Sequence, residues 1–138
     1  VVGVDRVALD PPLENANTVS FVGDMEDAKI HEKILQHLDG ACDVLLSDAA
    51  PKLTGVREVD RAAEERLLEA VERLLPLLLK KEGDLLVKLL ECPEAQNFQR
   101  RMRGLFASAK TVQAEGTRKG SSERYLLAKG YRPAALGD

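Results

Sequence analysis

No apolar run in these 138 residues approaches the roughly 18–20 residues needed to span a bilayer, so no transmembrane helix is expected. The opening stretch "VVGVD" lacks the basic-then-apolar layout of a secretory signal. Cysteine is scarce: Cys42 and Cys92 fall in different predicted elements, and no histidine stands at metal-ligand spacing from either. That argues against a disulfide framework or a zinc site, and for reduced core thiols of a cytoplasmic protein. His31 and His37 share one predicted helix without a ligand partner and read as surface or rim residues. Repeats and low-complexity tracts are absent. So is the Gly-rich fingerprint of a dinucleotide-binding dehydrogenase.

What is present describes one globular domain. Apolar residues make up 44% and charged residues 31% of the chain, and the length suits a single hydrophobic core rather than two. The net charge of −3 hides an asymmetry. Residues 100–138 carry nine Lys/Arg against three acids, while the body before them is acidic. A basic terminal third could be an ordinary solvated surface or a face for a polyanion.

Short β-branched runs at 1–4 and 18–22 predict strands, followed by a helix over 25–38 that Asp39-Gly40 should end. "CDVLLS" (42–47) predicts a buried strand and "DAAPKLTG" (48–55) a loop. Asp60 is a candidate cap for a long helix with Leu67, Leu68, Val71, Leu74 and Leu75 on its apolar face, to be ended or kinked by Pro76. A strand at 85–90, a helix over about 94–107 and strands at 109–114 and 124–129 complete the order. Strands alternating with helices predict an α/β fold with a mostly parallel sheet, and the last two strands should form an antiparallel pair at one edge.

Within that order the polar residues converge. Ligands of open parallel sheets bind beyond the carboxyl ends of the strands. Asp48 follows strand 42–47, Lys88 sits in the second half of "LLVKLL", and Glu123 opens the final, reversed strand at the same rim. An ammonium among leucines needs nearby acids unless it snorkels to water. Asp5 and Asp24 each end or follow an apolar strand, where an acid can accept hydrogen bonds from ribose hydroxyls. Asp24 could equally cap the helix after it.

Three stretches, "LLSDAAPKLTG" (45–55), "GDLLVKLLE" (83–91) and "GTRKGSSERYLLAKG" (116–130), closely resemble the FtsJ/RrmJ family of ribose 2′-O-methyltransferases, in the same order over essentially the whole chain. The resemblance implies a Rossmann-like methyltransferase fold, S-adenosylmethionine as cofactor, and a Lys-Asp-Lys-Glu tetrad that methylates an RNA ribose 2′-hydroxyl. By motif matching, Asp48, Lys88 and Glu123 would be the last three tetrad members. Asp5 would lie near the cofactor's ribose, Asp24 near its adenine, and Asp48 beside it. The substrate analogy is a uridine of large-subunit ribosomal RNA, with Arg118 and Lys119 on phosphates next to the target ribose.

The family pattern begins further upstream, with the first tetrad lysine, a strand and a Gly-rich cofactor loop. None of these is recognisable here, so the chain is expected to be a partial methyltransferase catalytic domain over residues 1–138. A non-catalytic RNA-binding relative, or a 2′-O-methyltransferase of transfer RNA or an mRNA cap, are the alternative readings.

Overall fold

The computed structural model describes residues 1–6, 16–113 and 123–133. By its internal contacts the chain divides into two compact units, Val1–Cys42 and Asp43–Asp138.

In the first unit, β1 (Val2–Asp5) and β2 (Val19–Val22) pair in parallel, with Val2 opposite Val19 and Asp5 opposite Val22. Helix α1 (Ala28–Leu38) begins three residues later than its apolar pattern suggests. The reason is local: Asp27 is the N-cap, its carboxylate accepting the Lys29 N–H at 2.9 Å. Asp24 instead accepts the Glu26 N–H at 2.9 Å, a turn rather than a helix cap. The helix ends as Asp39-Gly40 predicts, with Asp39 at φ 54° and Gly40 at φ 128°.

The second unit runs β3 (Cys42–Ser47, its first residue counted in the first unit), α2 (Arg57–Leu78), β4 (Leu79–Leu90), α3 (Pro93–Leu105), β5 (Phe106–Val112) and β6 (Glu123–Tyr131). Its sheet has the order β3-β4-β6-β5. β6 lies between β4 and β5 and is antiparallel to both. The expected antiparallel pair is therefore present, with the later strand inside the sheet and β5 at the edge.

Burial alternates along β4 with the strand period of two. Leu85, Val87 and Leu89 are buried, whereas Leu86, Lys88 and Leu90 are half-buried. Across the ladder Leu85 faces Ala128 and Val87 faces Leu126, all four buried. Together with Leu75 from α2 and Phe98 and Met102 from α3, they make the core of this unit. Burying one such leucine or phenylalanine stabilises the fold by about 1.5–3 kcal/mol. At the far end of the sheet Phe106 and Tyr131 pair across the β5–β6 ladder with ring centroids 5.2 Å apart.

Three local readings change. Asp60 is not the cap of α2; Val56 holds that position and Asp60 sits in the first turn. Pro76 does not stop the helix at once, because so near the end it removes a single backbone bond, and α2 runs on to Leu78. Strand β4 begins at Leu79, six residues before the strand expected at 85–90, and takes in "KKEG". Within it Gly83 is required: a Cβ there would lie 2.9 Å from the carbonyl oxygens of both Asp43 and Lys80. Its neighbour Glu82 adopts φ 68°, a left-handed conformation that a side chain opposes.

Replacing Glu82 with glycine should therefore stabilise the protein by about 1 kcal/mol. The Arg132 partner lost at 3.6 Å is exposed, as is Glu82 itself, and such a pair contributes little. Urea denaturation of Glu82→Gly checks this; an unchanged or lower midpoint contradicts it.

Candidate active site

Two charged residues singled out in the sequence meet at the carboxyl end of the four-stranded sheet. Asp48 directly follows β3, and Lys88 lies three residues from the start of the turn after β4. The Lys88 Nζ is 3.1 Å from Asp48 Oδ1, with the lysine side chain 15% exposed and the aspartate 74% exposed. The same Oδ1 accepts the Tyr125 hydroxyl proton at 2.9 Å. Tyr125 stands opposite Lys88 in the β4–β6 ladder. Strands β4 and β6 and the loop after β3 thus contribute one group each, and the ammonium is held on the half-buried face of the central strand β4. Such an arrangement can present a fixed positive charge, with its counter-charge beside it, to an oxygen at this rim.

The first two turns of α2 frame this corner. Asp60 reaches back to the loop that follows Asp48, accepting the Thr54 N–H and hydroxyl at 2.8 Å each and the Gly55 N–H at 3.1 Å. The Thr54 amide and hydroxyl hold its carboxyl below the usual range. Arg61 grips Glu94 in the first turn of α3 with a forked contact, its Nη2 2.8 Å and Nε 3.0 Å from the two carboxylate oxygens. Glu64, 2% exposed, accepts the N–H of Leu90, the last residue of β4, at 2.5 Å. Burial pushes the Glu64 carboxyl up, and the Leu90 amide opposes that rise. Cys92 caps α3 beside this group as a free thiol raised chiefly by its own burial.

The other candidates are distributed differently. Glu123 opens β6 and pairs with Leu90 in backbone register, so its backbone lies at this rim; its side chain falls outside the described residues, as do Arg118 and Lys119. Asp5 and Asp24 belong to the first unit, at the carboxyl ends of β1 and β2. Arg6 approaches Asp24 Oδ2 at 3.5 Å. Tyr125 and Glu64 were not singled out by the sequence reasoning. Tyr125 is part of the "SSERY" stretch and could have been found by its position two residues after Glu123. Glu64 is in helical register with Leu68, Val71, Leu75 and Leu78, and an acid on that apolar stripe is its signal.

A model of the FtsJ-like methyltransferase family matches residues 1–131. The chain belongs to that family. It is 32% identical over 121 residues to the ribosomal RNA large subunit methyltransferase E of Methanosphaera stadtmanae, covering 88% of this chain and 59% of that protein. To the protein of the same name in Magnetococcus marinus it is 36% identical over 135 residues, covering 96% of this chain and 61% of that one. The chain therefore spans about three fifths of the length of these relatives. A Plasmodium falciparum crystal structure described as a ribosomal RNA methyltransferase superposes with a TM-score of 0.79 at 19% identity, over 95% of this chain and 71% of that one. At that identity the likeness carries the fold, which is the Rossmann-like methyltransferase α/β architecture.

The Arg61–Glu94 contact makes a pH prediction. The Arg61 guanidinium and its hydrogen bonds lower the Glu94 carboxyl from 4.5 to about 2. A depressed folded-state carboxyl contributes stability above its unfolded value and loses it as pH falls through the folded one. The stability difference between wild type and Glu94→Gln should be constant above pH 4.5 and shrink as pH drops toward 2. Urea midpoints measured along that range check it; a difference independent of pH contradicts it.

Proposed function

We propose that residues 1–138 belong to a methyltransferase catalytic domain that uses S-adenosylmethionine to methylate an RNA ribose 2′-hydroxyl, with a uridine of large-subunit ribosomal RNA as the target. The observation that carries the reading is the Lys88 ammonium, largely buried in a central strand and held by Asp48, which also takes the Tyr125 hydroxyl. Membership of the FtsJ-like methyltransferase family and the printed names of its relatives support the reaction class and the ribosomal RNA substrate.

The donor set suits the cofactor. Asp5 and Asp24 lie at one rim of the parallel β1–β2 pair, and carboxylates there can accept hydrogen bonds from ribose hydroxyls and an adenine amino group. By motif matching, Asp5 would serve the cofactor's ribose and Asp24 its adenine, with Asp48 as a further cofactor-binding residue. Bound S-adenosylmethionine supplies an electrophilic methyl group on a sulfonium.

The chain's own residues act on the acceptor. A ribose hydroxyl is a poor nucleophile while protonated, so the site must align its oxygen and help remove the proton. Lys88 presents Nζ to that oxygen, as base or as a charge that stabilises the developing alkoxide. Asp48 fixes the direction of Nζ, Tyr125 fixes Asp48, and Glu123 serves as the last acid of the tetrad by its place in the family motif. Arg118 and Lys119 contact phosphates beside the target and position the RNA without reading bases.

Lys88→Ala should slow single-turnover methyl transfer to large ribosomal subunits by about 10²-fold or more. A normal rate would remove Lys88 from the mechanism. Replacing Arg118 and Lys119 together by alanine should weaken RNA binding and flatten the log–log salt slope by about one to two units. An unchanged slope would place the RNA backbone elsewhere.

A further inference from the structure

We propose that Glu64 is a positioning residue for Lys88: by accepting the Leu90 amide proton it fixes the carboxyl end of β4, and with it the point at which the Lys88 ammonium meets Asp48. The inference rests on the catalytic reading of Lys88 given above.

Glu64 is the charged side chain buried in the core among the described residues, 2% exposed. Its place on α2, in register with Leu68, Val71, Leu75 and Leu78, is one that a leucine would fill without desolvating a carboxyl. Removing such a group from water is unfavourable unless hydrogen bonds replace the lost hydration. Here the compensating donor is the Leu90 N–H. The acid is therefore explained by what it does for β4, not by what it adds to the apolar core.

The location gives that bond its consequence. Leu90 is the last residue of β4 and lies two residues beyond Lys88, a separation of roughly 6–7 Å along a strand. Beyond it the chain turns at Glu91 and Cys92 into α3. A strand end at such a turn is where a ladder frays first. The helix that supplies Glu64 is itself anchored on both sides of the site. Asp60, one turn earlier, holds the loop that follows Asp48, and Arg61 holds the first turn of α3 through Glu94. One rigid element thus sets the height of the lysine strand and of the aspartate loop together. Displacing a reacting group by about 1 Å can slow a reaction by about 10²-fold.

The test compares Glu64→Met, which keeps the length and loses the oxygens, with Glu64→Gln, whose side-chain oxygen can accept the same bond. Two readouts are taken: amide hydrogen exchange at Leu90 against Val87, and single-turnover methyl transfer against the apparent affinity for S-adenosylmethionine. In wild type the Leu90 amide should be protected. In Glu64→Met its protection should fall by about 10-fold or more while Val87 is unchanged, and the transfer rate should fall about 10-fold or more with donor affinity within about 2-fold. Glu64→Gln should recover both to within about 3-fold.

An unprotected Leu90 amide in wild type overturns the proposal without any variant, which covers the case of a Met variant that does not fold. Equal losses in Gln and Met, or Leu90 and Val87 loosening in parallel, also overturn it, since either outcome assigns Glu64 to general packing. The two readings separate cleanly. A fully active Lys88→Ala sinks the catalytic role of the lysine, whereas an inactive Lys88→Ala with a wild-type rate for Glu64→Met sinks only the positioning role of Glu64.

Discussion

A lysine ammonium in the middle of a central β-strand must be compensated where it stands, and the contact between Lys88 and Asp48 meets that constraint. The neighbours of β4 on either side are β3 and β6. That order brings Asp48 from the end of one and Tyr125 from the other to the same lysine. The pair is not a device for stability. Asp48 is mostly exposed, and ion pairs with one partner in water contribute about 0–1 kcal/mol. What the contact fixes is direction: an ammonium that would otherwise snorkel outward is held over the carboxyl rim of the sheet.

The buried face of the sheet allows this. Leu85, Val87 and Leu89 carry the apolar burial of β4, so the opposite face is free to hold a charge without opening the core. Helix α2 supplies both that core, through Leu68, Val71 and Leu75, and the polar contacts at the rim, through Asp60, Arg61 and Glu64. Packing and site geometry are therefore two faces of one helix. A substitution that tilts α2 would be felt at Asp48 and Lys88 even where no site residue is touched.

Much of this was legible in the sequence. A charge within "LLVKLL" is anomalous for a buried strand, and Asp48 after "VLLS" marks a strand end, so both were found from pattern alone. The Asp39-Gly40 stop followed from turn chemistry. What escaped notice depends on tertiary partners. Asp60 looks like a helix cap, yet Thr54 and Gly55 fold back onto it and shift the helix start to Arg57. The strand expected at 85–90 in fact begins at Leu79, because Gly83 lets the backbones of β3 and β4 come close and Glu82 takes the left-handed conformation. Glu64 was visible only as a break in an apolar stripe, and the amide it receives belongs to a residue 26 positions away. The basic loop with Arg118 and Lys119, and the Glu123 side chain, lie outside the described residues.

The central claim is that Lys88 and Asp48 act on the acceptor oxygen as one unit. A double-mutant cycle on the single-turnover methyl-transfer rate, with Lys88→Met, Asp48→Asn and the combination, measures that coupling directly. The account predicts strong non-additivity, with the double variant no slower than the slower single variant, because an ammonium without its aspartate is already misdirected. Losses that multiply across the two positions would contradict it, and would assign the two side chains independent roles.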